Sequence, residues 1–315
     1  MQTPLVSVII PTWNGRHLLG ACLDSLCAQS YQPLEILVVD GGSSDGSGEF
    51  LKAAYPNVGL LALPSNLGFT GNVNAGLRAA QGDLLCLLNN DAVANQEWIQ
   101  HLVSALLAQP NAGTCASKML TQDGARIDSA GDLLGRNGLA WQRGAGEADR
   151  GQFDLPSDVF SACGGAACYR AEMLRDVGLL DEGYGSYLED VDLGLRAQLR
   201  GWGCRYEPRA RVRHLGSATG GGPLASFHVA RNSIRLIVRG FPTPIVRASL
   251  RLLLDAQARR AREAFQAWRG EAARATLKGL IAGLANMPDA LRGRGPIQRG
   301  RRISNDAFLA LLEHP

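Results

Sequence analysis

"LEILVVDGGSSDGS", Leu34 to Ser47, runs from an apolar stretch to a carboxylate, a Gly/Ser turn and the first residue of a helix. An apolar run this short, rich in β-branched residues and bounded by turn formers, predicts a strand covered on both faces, as in parallel sheets. The same unit stands on either side of it. Upstream, "VSVIIP" (Val6 to Pro11) is a second buried-strand pattern, and in "NGRHLLGACLDSLCAQS" Leu18, Leu19, Cys22, Leu23 and Leu26 form one helical stripe. Downstream, "GLLALP", the helical "NLGFTGNVNAGLRAAQG" and the strand "LLCLLNNDA" repeat it, the last again ending in a carboxylate. Strands alternating with helices predict an α/β domain with a largely parallel sheet. Ligands of such sheets bind beyond the carboxyl ends of the strands, where Asp40 and Asp91 both fall. Either alone reads as a turn former or cap; together they point to a shared site.

The chain has 315 residues, 46% apolar and 19% charged, enough to bury a large core. Its seven cysteines stand in apolar surroundings without CxxC pairs, which predicts reduced core thiols and a cytoplasmic protein. The run "PLVSVII" has no basic region ahead of it and reads as a strand rather than a secretion signal. No stretch reaches the ~18 apolar residues of a membrane span. The net charge of +3 is uneven: from Val229 to Arg302 there are 16 Arg or Lys against four carboxylates. A basic region of this kind suits an anionic membrane surface, an acidic ligand, nucleic acid or a solvated helical face.

Between Met119 and Asp158 the pattern weakens into Gly-rich, polar sequence, long for a passive connection and typical of a lid or binding loop. "VFSACGGAACYR" follows as a buried strand whose Gly164 and Gly165 admit a ligand's close approach or mark a bulge. In "SYLEDVDLGLRAQLRGWGC", Glu189, Asp190 and Asp192 crowd the start of a helix, the place where its dipole favours negative charge. Farther on, Leu250, Leu253, Leu254, Ala258, Ala261, Phe265 and Trp268 share a helical face, with Arg247, Arg251, Arg259 and Arg262 largely opposite, predicting an amphipathic helix with an arginine-rich outer face.

Six blocks, "VSVIIPTWNG", "ILVVDGGSSDGS", "NLGFTGNVNAG", "LCLLNNDA", "YLEDVDLGLRAQLRGWGC" and "VRHLGSAT", resemble in this order the inverting family 2 glycosyltransferases, and most closely their bacterial rhamnosyltransferase-like branch. The match runs from about Pro4 to Asn232. It implies a GT-A fold: a mixed sheet of the nucleotide-diphospho-sugar transferase type flanked by helices, with a C-terminal helical extension. The expected division is a catalytic domain over 1–226 and a basic amphipathic helical region over 227–315.

The resemblance also implies site residues. Pro11, Thr12, Asn14 and Asp40 would line the nucleotide pocket, and Asn66, Gly68 and Asn74 would face nucleotide and donor. Asn90 and Asp91 occupy the family's DxD position, with Asn89 replacing its first Asp. Asp91 and His214 would hold Mg2+ or Mn2+ on the donor diphosphate, hard cations that share phosphate oxygens readily. Asp190 matches the general base that takes the acceptor hydroxyl's proton, Glu189 would orient acceptor or base, and Asp192 reads as a helix cap. The implied partners are a nucleotide-sugar donor, with dTDP-rhamnose favoured and uridine-diphosphate sugars the alternative, and a glycan or lipid-linked glycan acceptor in envelope polysaccharide synthesis. The basic C-terminal region would touch the inner face of an anionic membrane.

Other classes fit less well. The phosphate loop GxxxxGK[ST] and a GxGxxG after the first strand are both missing, which counts against nucleotide hydrolases and dinucleotide oxidoreductases. A sugar-phosphate nucleotidyltransferase would carry a Gly-rich, Lys-containing loop after the first strand, and none is present. A scaffold or nucleic-acid binder leaves Asp40, Asp91 and Asp190 without a role, and the basic tail lacks aromatic interleaving for bases.

Overall fold

The structure, a computed structural model, describes residues 3–215 and 222–314, so the last part of "VRHLGSAT" lies outside the described residues. The first half of the chain follows the expected alternation: β1 (Val6–Thr12), α1 (Arg16–Cys27), β2 (Leu34–Asp40), α2 (Ser47–Ala54), β3 (Gly59–Ala62), α3 (Gly68–Ala79) and β4 (Leu84–Leu88). A short β5 (Ala92–Ala94), α4 (Trp98–Ala108) and the long β6 (Ala112–Thr121) come next. The Gly-rich region then forms β7 (Ile127–Ser129), β8 (Asp132–Leu134), β9 (Ala140–Gln142) and β10 (Ser157–Val159). The sheet-forming part of the chain closes with β11 (Ala166–Arg170), α5 (Ala171–Val177), a 3-10 turn (Glu182–Tyr184), α6 (Glu189–Leu199) and β12 (Gly203–His214).

The main sheet runs β10-β12-β6-β11-β4-β1-β2-β3, with β5 on β12 and β7 on β6. From β3 to β4 all pairs are parallel, whereas β11 is antiparallel to both β4 and β6, making the sheet mixed. That reversal decides where the site lies. An antiparallel β11 starts where β4 ends, so Ala166 is paired with Leu88 and the glycines before it sit at the carboxyl edge. Strand β12 ends at the same edge, with His214 opposite Ala92 of β5.

One apolar layer packs α1 and α4 on the sheet through Leu19, Leu23, Leu26, Trp98 and Leu102, and the other packs α3, α5 and α6 through Val73, Leu77, Met173 and Leu193. Each fully buried Leu contributes about 2 kcal/mol of transfer free energy. Five of the seven cysteines are buried in these layers and all are free thiols; Cys27 is exposed and Cys163 partly so.

The C-terminal helices are α7 (Gly222–Gly240), α8 (Thr243–Ala248), α9 (Leu250–Gln266), α10 (Glu271–Ala285), α11 (Met287–Arg299) and α12 (Asn305–Ala310). Helix α7 runs through the expected division after residue 226. Its Leu236 and Ile237, with Phe241 just beyond its end, share a buried cluster with Val191, Leu195 and Leu199 of α6, joined by Ile245, Leu253 and Phe308. Of the apolar face expected on α9, Leu253 is buried, but Leu250, Leu254, Phe265 and Trp268 are exposed. The helix turns Leu253, Ala256 and Ala264 inward instead, and Leu253 joins the cluster that holds Leu236 and Ile237 of α7 and Ile245 of α8.

Candidate active site

The nucleotide side of the site is built from the ends of β1 and β2. Thr12 and Asp40 are register partners, and both are buried. Asp40 Oδ1 accepts from the Ser43 amide at 3.0 Å. Asn14, held at a φ of 51°, accepts the Ser44 amide on Oδ1 at 2.9 Å, stitching the turn after β1 to the turn after β2. Pro11 precedes Thr12 in the strand, beside Val39. Asn66 accepts from the Gly68 amide and from Asn72 Nδ2, and a side chain at Gly41 would meet Asn72 Nδ2 at 2.6 Å, so this asparagine pair closes over the Asp40 turn. Gly68 has a φ of +75° with open space where a Cβ would stand, a conformation that favours glycine.

Asn74 departs from its expected role. It is buried, donates to Leu180 O at 2.9 Å and Glu182 Oε1 at 3.0 Å, and accepts the Leu180 amide at 3.1 Å. Its polar atoms are thus taken up in tying α3 to the loop after α5, beside a separate cleft lined by Arg78, Arg239 and Pro296.

The metal position begins one strand over. Asn90 Nδ2 donates to Thr12 Oγ1 at 2.9 Å, and a Cβ on Gly15 would stand 2.3 Å from that amide nitrogen, so the β1 turn and the β4 turn interlock. Asp91 Oδ1 lies 3.1 Å from His214 Nε2 and is otherwise a buried oxygen with no hydrogen-bond partner. The other ring nitrogen, Nδ1, lies 2.9 Å from Asp128 Oδ2. Burial alone would lower the imidazole pKa; the hydrogen bond to Asp128 and the neighbouring Asp91 carboxylate outweigh it and push it up to about 9.

A buried, orphaned carboxylate oxygen beside an imidazole nitrogen is a donor pair that fits a divalent cation, and the outer carboxylate fixes the ring as partner groups of metal-bound histidines do. A cation held there would take the place of the Nε2 proton that faces Asp91, leaving the Nδ1 proton on the Asp128 side. Among the described residues no cluster of three or more His, Cys, Asp or Glu completes such a site, and Asn89 contributes only an amide, with Nδ2 at 3.4 Å from His214 Nε2. The remaining ligands of a bound cation would be phosphate oxygens and water, an arrangement usual for Mg2+.

The base candidate is joined to this position by one dipeptide. Gly164 donates its amide to Asp190 Oδ2 at 2.8 Å, and Gly165 O accepts the Asn89 amide at 3.0 Å. A Cβ on Gly165 would lie 2.9 Å from Met119 Cε and 3.3 Å from Asn89 Nδ2, so the glycine pair is a close approach of backbone to the turn after β4. The sheet edge therefore brings together Thr12, Asp40, Asn90, Asp91, Asp190 and His214.

Two further carboxyls, Glu189 and Asp132, lie close to Asp190. Glu189 is buried with Oε2 unpartnered. Asp132, at the start of β8, is buried and accepts from Ser161 Oγ at 3.2 Å. Burial, followed by the charge of Asp190, drives both far above the ordinary carboxylate range. Burial also raises Asp190, but the amides of Gly164 and Val191 and its own oppose the rise, so Asp190 ionises first. Asp192 is no cap: it is buried, accepts from Arg196 Nε at 2.7 Å and Tyr184 Oη at 3.2 Å, and pairs with Arg239 at 3.1 Å.

The turn before α6 is strained. Tyr187 and Leu188 both have a φ of 67°, an unfavourable region for side chains of this size. Asn232, fully buried on α7, donates to Tyr184 O, Ser186 O and Tyr187 O at 3.1, 2.8 and 2.7 Å. Arg231 adds bonds to Gly183 O and Tyr184 O. Asp128, Asp132 and Asn232 are site residues that sequence reasoning missed. The first two lie in the segment of weakest pattern, where the only signal is two aspartates four positions apart, and Asn232 ends the resembling region without a motif of its own.

Residues 7–178 match the family described as glycosyl transferase family 2. Among curated proteins, the N-acetylglucosaminyl-diphospho-decaprenol L-rhamnosyltransferase of Mycobacterium tuberculosis is 31% identical over 253 residues, covering 72% of this chain and 82% of that protein. An O-antigen biosynthesis protein of Myxococcus xanthus is 30% identical over 69% of this chain and 18% of its own length. Two solved structures share the fold at 17% identity. GalNAc-T7, with UDP, GalNAc and Mn2+, aligns with a TM-score of 0.60 over 75% of this chain and 48% of that one. A mannosyltransferase from Pyrobaculum calidifontis, with GDP-Man and Mn2+, aligns with a TM-score of 0.56 over 98% of this chain and 84% of that one.

Proposed function

The chain belongs to glycosyl transferase family 2, and from that premise we propose that it transfers a sugar from a nucleotide diphosphate to an acceptor hydroxyl with inversion at the anomeric carbon. The observation that carries this reading is the Gly164–Gly165 dipeptide, which bonds Asp190 on one side and the turn leading to Asp91 on the other. Inversion needs a base on the face opposite the leaving group, and a leaving diphosphate needs its charge offset.

In this reading Asp40 and the interlocked turns of Thr12, Asn14 and Asn90 hold the nucleotide, while Asn66 and Gly68 border it. Asp91 and His214 would hold Mg2+ or Mn2+. The cation, when bound, stabilises negative charge on the departing diphosphate. Asp190, ionised while its neighbours keep their protons, accepts the acceptor's hydroxyl proton. Protonated Glu189, with its unpartnered oxygen, orients the acceptor oxygen by a hydrogen bond.

dTDP-rhamnose is the favoured donor and a lipid-linked glycan the favoured acceptor; the name of the mycobacterial relative supports L-rhamnose as the sugar and a lipid diphosphate in the acceptor. The division into a catalytic domain and a basic helical region, and action at the cytoplasmic face of a membrane, belong to the same reading. The test is a thermal-shift panel of nucleotide sugars with and without Mn2+, followed by turnover of the stabilising one. Stabilisation by dTDP-rhamnose beyond bare dTDP supports the donor; equal stabilisation by both, or by a uridine-diphosphate sugar alone, rejects it. Release of pyrophosphate from a nucleoside triphosphate and sugar phosphate would reject the transferase reading.

A further inference from the structure

A surface helix of a water-soluble protein needs one apolar stripe, the one it turns toward the core. Helices α9 and α10 each carry two. In α9, Leu253, Ala256 and Ala264 are buried, yet Leu250, Leu254 and Phe265 are 50%, 60% and 70% exposed, with Trp268 in the following turn at 56%. These four recur at helical spacing on one side. In α10, Gly279 and Gly283 pack against Phe227 and Ile234 of α7, while Ile281 and Leu284 point away at 69% and 59% exposure. Seven of the fifteen large apolar side chains exposed among the described residues fall between Leu250 and Leu291.

We propose that the α9–α10 hairpin docks flat on an anionic lipid bilayer, with Leu250, Leu254, Phe265, Trp268, Ile281 and Leu284 at the acyl boundary and the adjacent basic side chains at the headgroups. The charge pattern selects this occupant. Residues 247–292 hold nine Arg or Lys against four carboxylates. Arg251, Arg259, Arg262, Arg269, Arg274 and Lys278 are all exposed, and the ion pair of Arg251 with Asp255 is a loose one at 3.9 Å with the arginine 95% exposed. An exposed aromatic and aliphatic stripe bordered by arginines is the pattern of a helix lying in the headgroup plane, and no helix among the described residues is long and apolar enough to cross a membrane.

The hairpin also stands in a definite relation to the site. On α7, Asn232 faces the turn that carries Glu189 and Asp190, whereas Phe227, Ala230 and Ile234, about half a helical turn away, face α10. One helix thus links the docking surface to the base. The docking surface rests on its own residues; only its consequence, presentation of a lipid-linked acceptor, rests on the proposed function, and a failed transferase assay leaves the vesicle result standing.

The test is sedimentation of the full chain with vesicles of phosphatidylcholine alone and of phosphatidylcholine mixed with phosphatidylglycerol. Binding to the mixed vesicles is expected, falling as salt is raised. Replacing Arg251, Arg262 and Arg269 by Gln should weaken that binding roughly a hundredfold. The variant Phe265→Ser/Trp268→Ser/Ile281→Ser, whose changes are all at exposed positions, should lose at least about tenfold with an unchanged circular-dichroism melt. Sedimentation with neither vesicle, or binding indifferent to the apolar substitutions, overturns the proposal. So does a concentration-dependent dimer dissolved by those substitutions without lipid binding, which would make the stripe a contact between copies of the chain.

Discussion

The Gly164 amide donates to Asp190 Oδ2 at 2.8 Å and holds the carboxylate at the same sheet edge as Asp91. An amide oxygen at position 190 can still accept the Gly164 bond, at the cost of the one that Oδ1 accepts from the Val191 amide, so Asp190→Asn removes the base while keeping its tie to Gly164. Turnover should fall about 10²- to 10⁴-fold with nucleotide affinity unchanged within about twofold, as read by calorimetry against initial rates. Gly165→Ala should also impair turnover, because its methyl would press on Asn89 Nδ2 and Met119; Gly164→Ala, whose Cβ would meet Asp190 only at ordinary contact distances, should be milder.

The carboxyl cluster dictates a pH profile. Asp190 is raised from its ordinary value, so kcat/KM should climb with pH along an acid limb whose midpoint lies above the ~3.9 of a free aspartate. Asp132 and Glu189 titrate higher still. Asp132→Asn, which imitates the protonated form, should leave that midpoint in place; a fall of more than about one unit would mean that the pair titrates as a unit. The stability sign is opposite to that of a salt-bridged carboxylate. With folded pKa values raised, burial of neutral Glu189 and Asp132 favours the fold at low pH, and that advantage is lost as pH rises through the folded values. Glu189→Gln should therefore melt higher than the parent in alkaline buffer and close to it near pH 5.

The strands and the carboxylates at their ends were legible because a buried strand is a short apolar run and its terminal Asp40 or Asp91 breaks the run. What position along the chain does not carry is the outer layer. β7, β8 and β9 are three residues each, too short for a period to register, so Asp128 and Asp132 were hidden in a polar, Gly-rich stretch. Asn74 matched a motif, but only the structure shows that the loop at Leu180 takes up its hydrogen bonds. The amphipathicity of α9 was legible and its orientation was not, because a helix with two apolar stripes does not disclose which of them meets the core.

Asp128 fixes the His214 ring from the side away from Asp91. Asp128→Asn keeps a hydrogen-bonding partner but loses the charge that orients the ring and raises its basicity, so Mn2+ affinity should fall about 10- to 100-fold. Titration of free Mn2+ by electron paramagnetic resonance reads this without turnover. An affinity equal to the parent's would show that His214 does not serve as a ligand or that its orientation is set elsewhere.

Asn232 should act on the base without touching substrate. Its amide spreads two N–H donors over three carbonyls of a turn whose Tyr187 and Leu188 sit at positive φ, and unsatisfied buried groups cost about 1–3 kcal/mol each. Asn232→Ala should release the turn, lowering kcat while leaving nucleotide affinity intact, since Asp40 and the turn after β1 belong to other elements. Leu188→Gly relieves the strained φ that the clamp opposes, so in the Asn232→Ala background it should recover part of the lost stability while kcat stays low, because a slack turn no longer aims Asp190. Recovery of both together would mean that Asn232 matters only for folding; loss of nucleotide binding along with kcat would mean that α7 supports the whole cleft rather than the base alone.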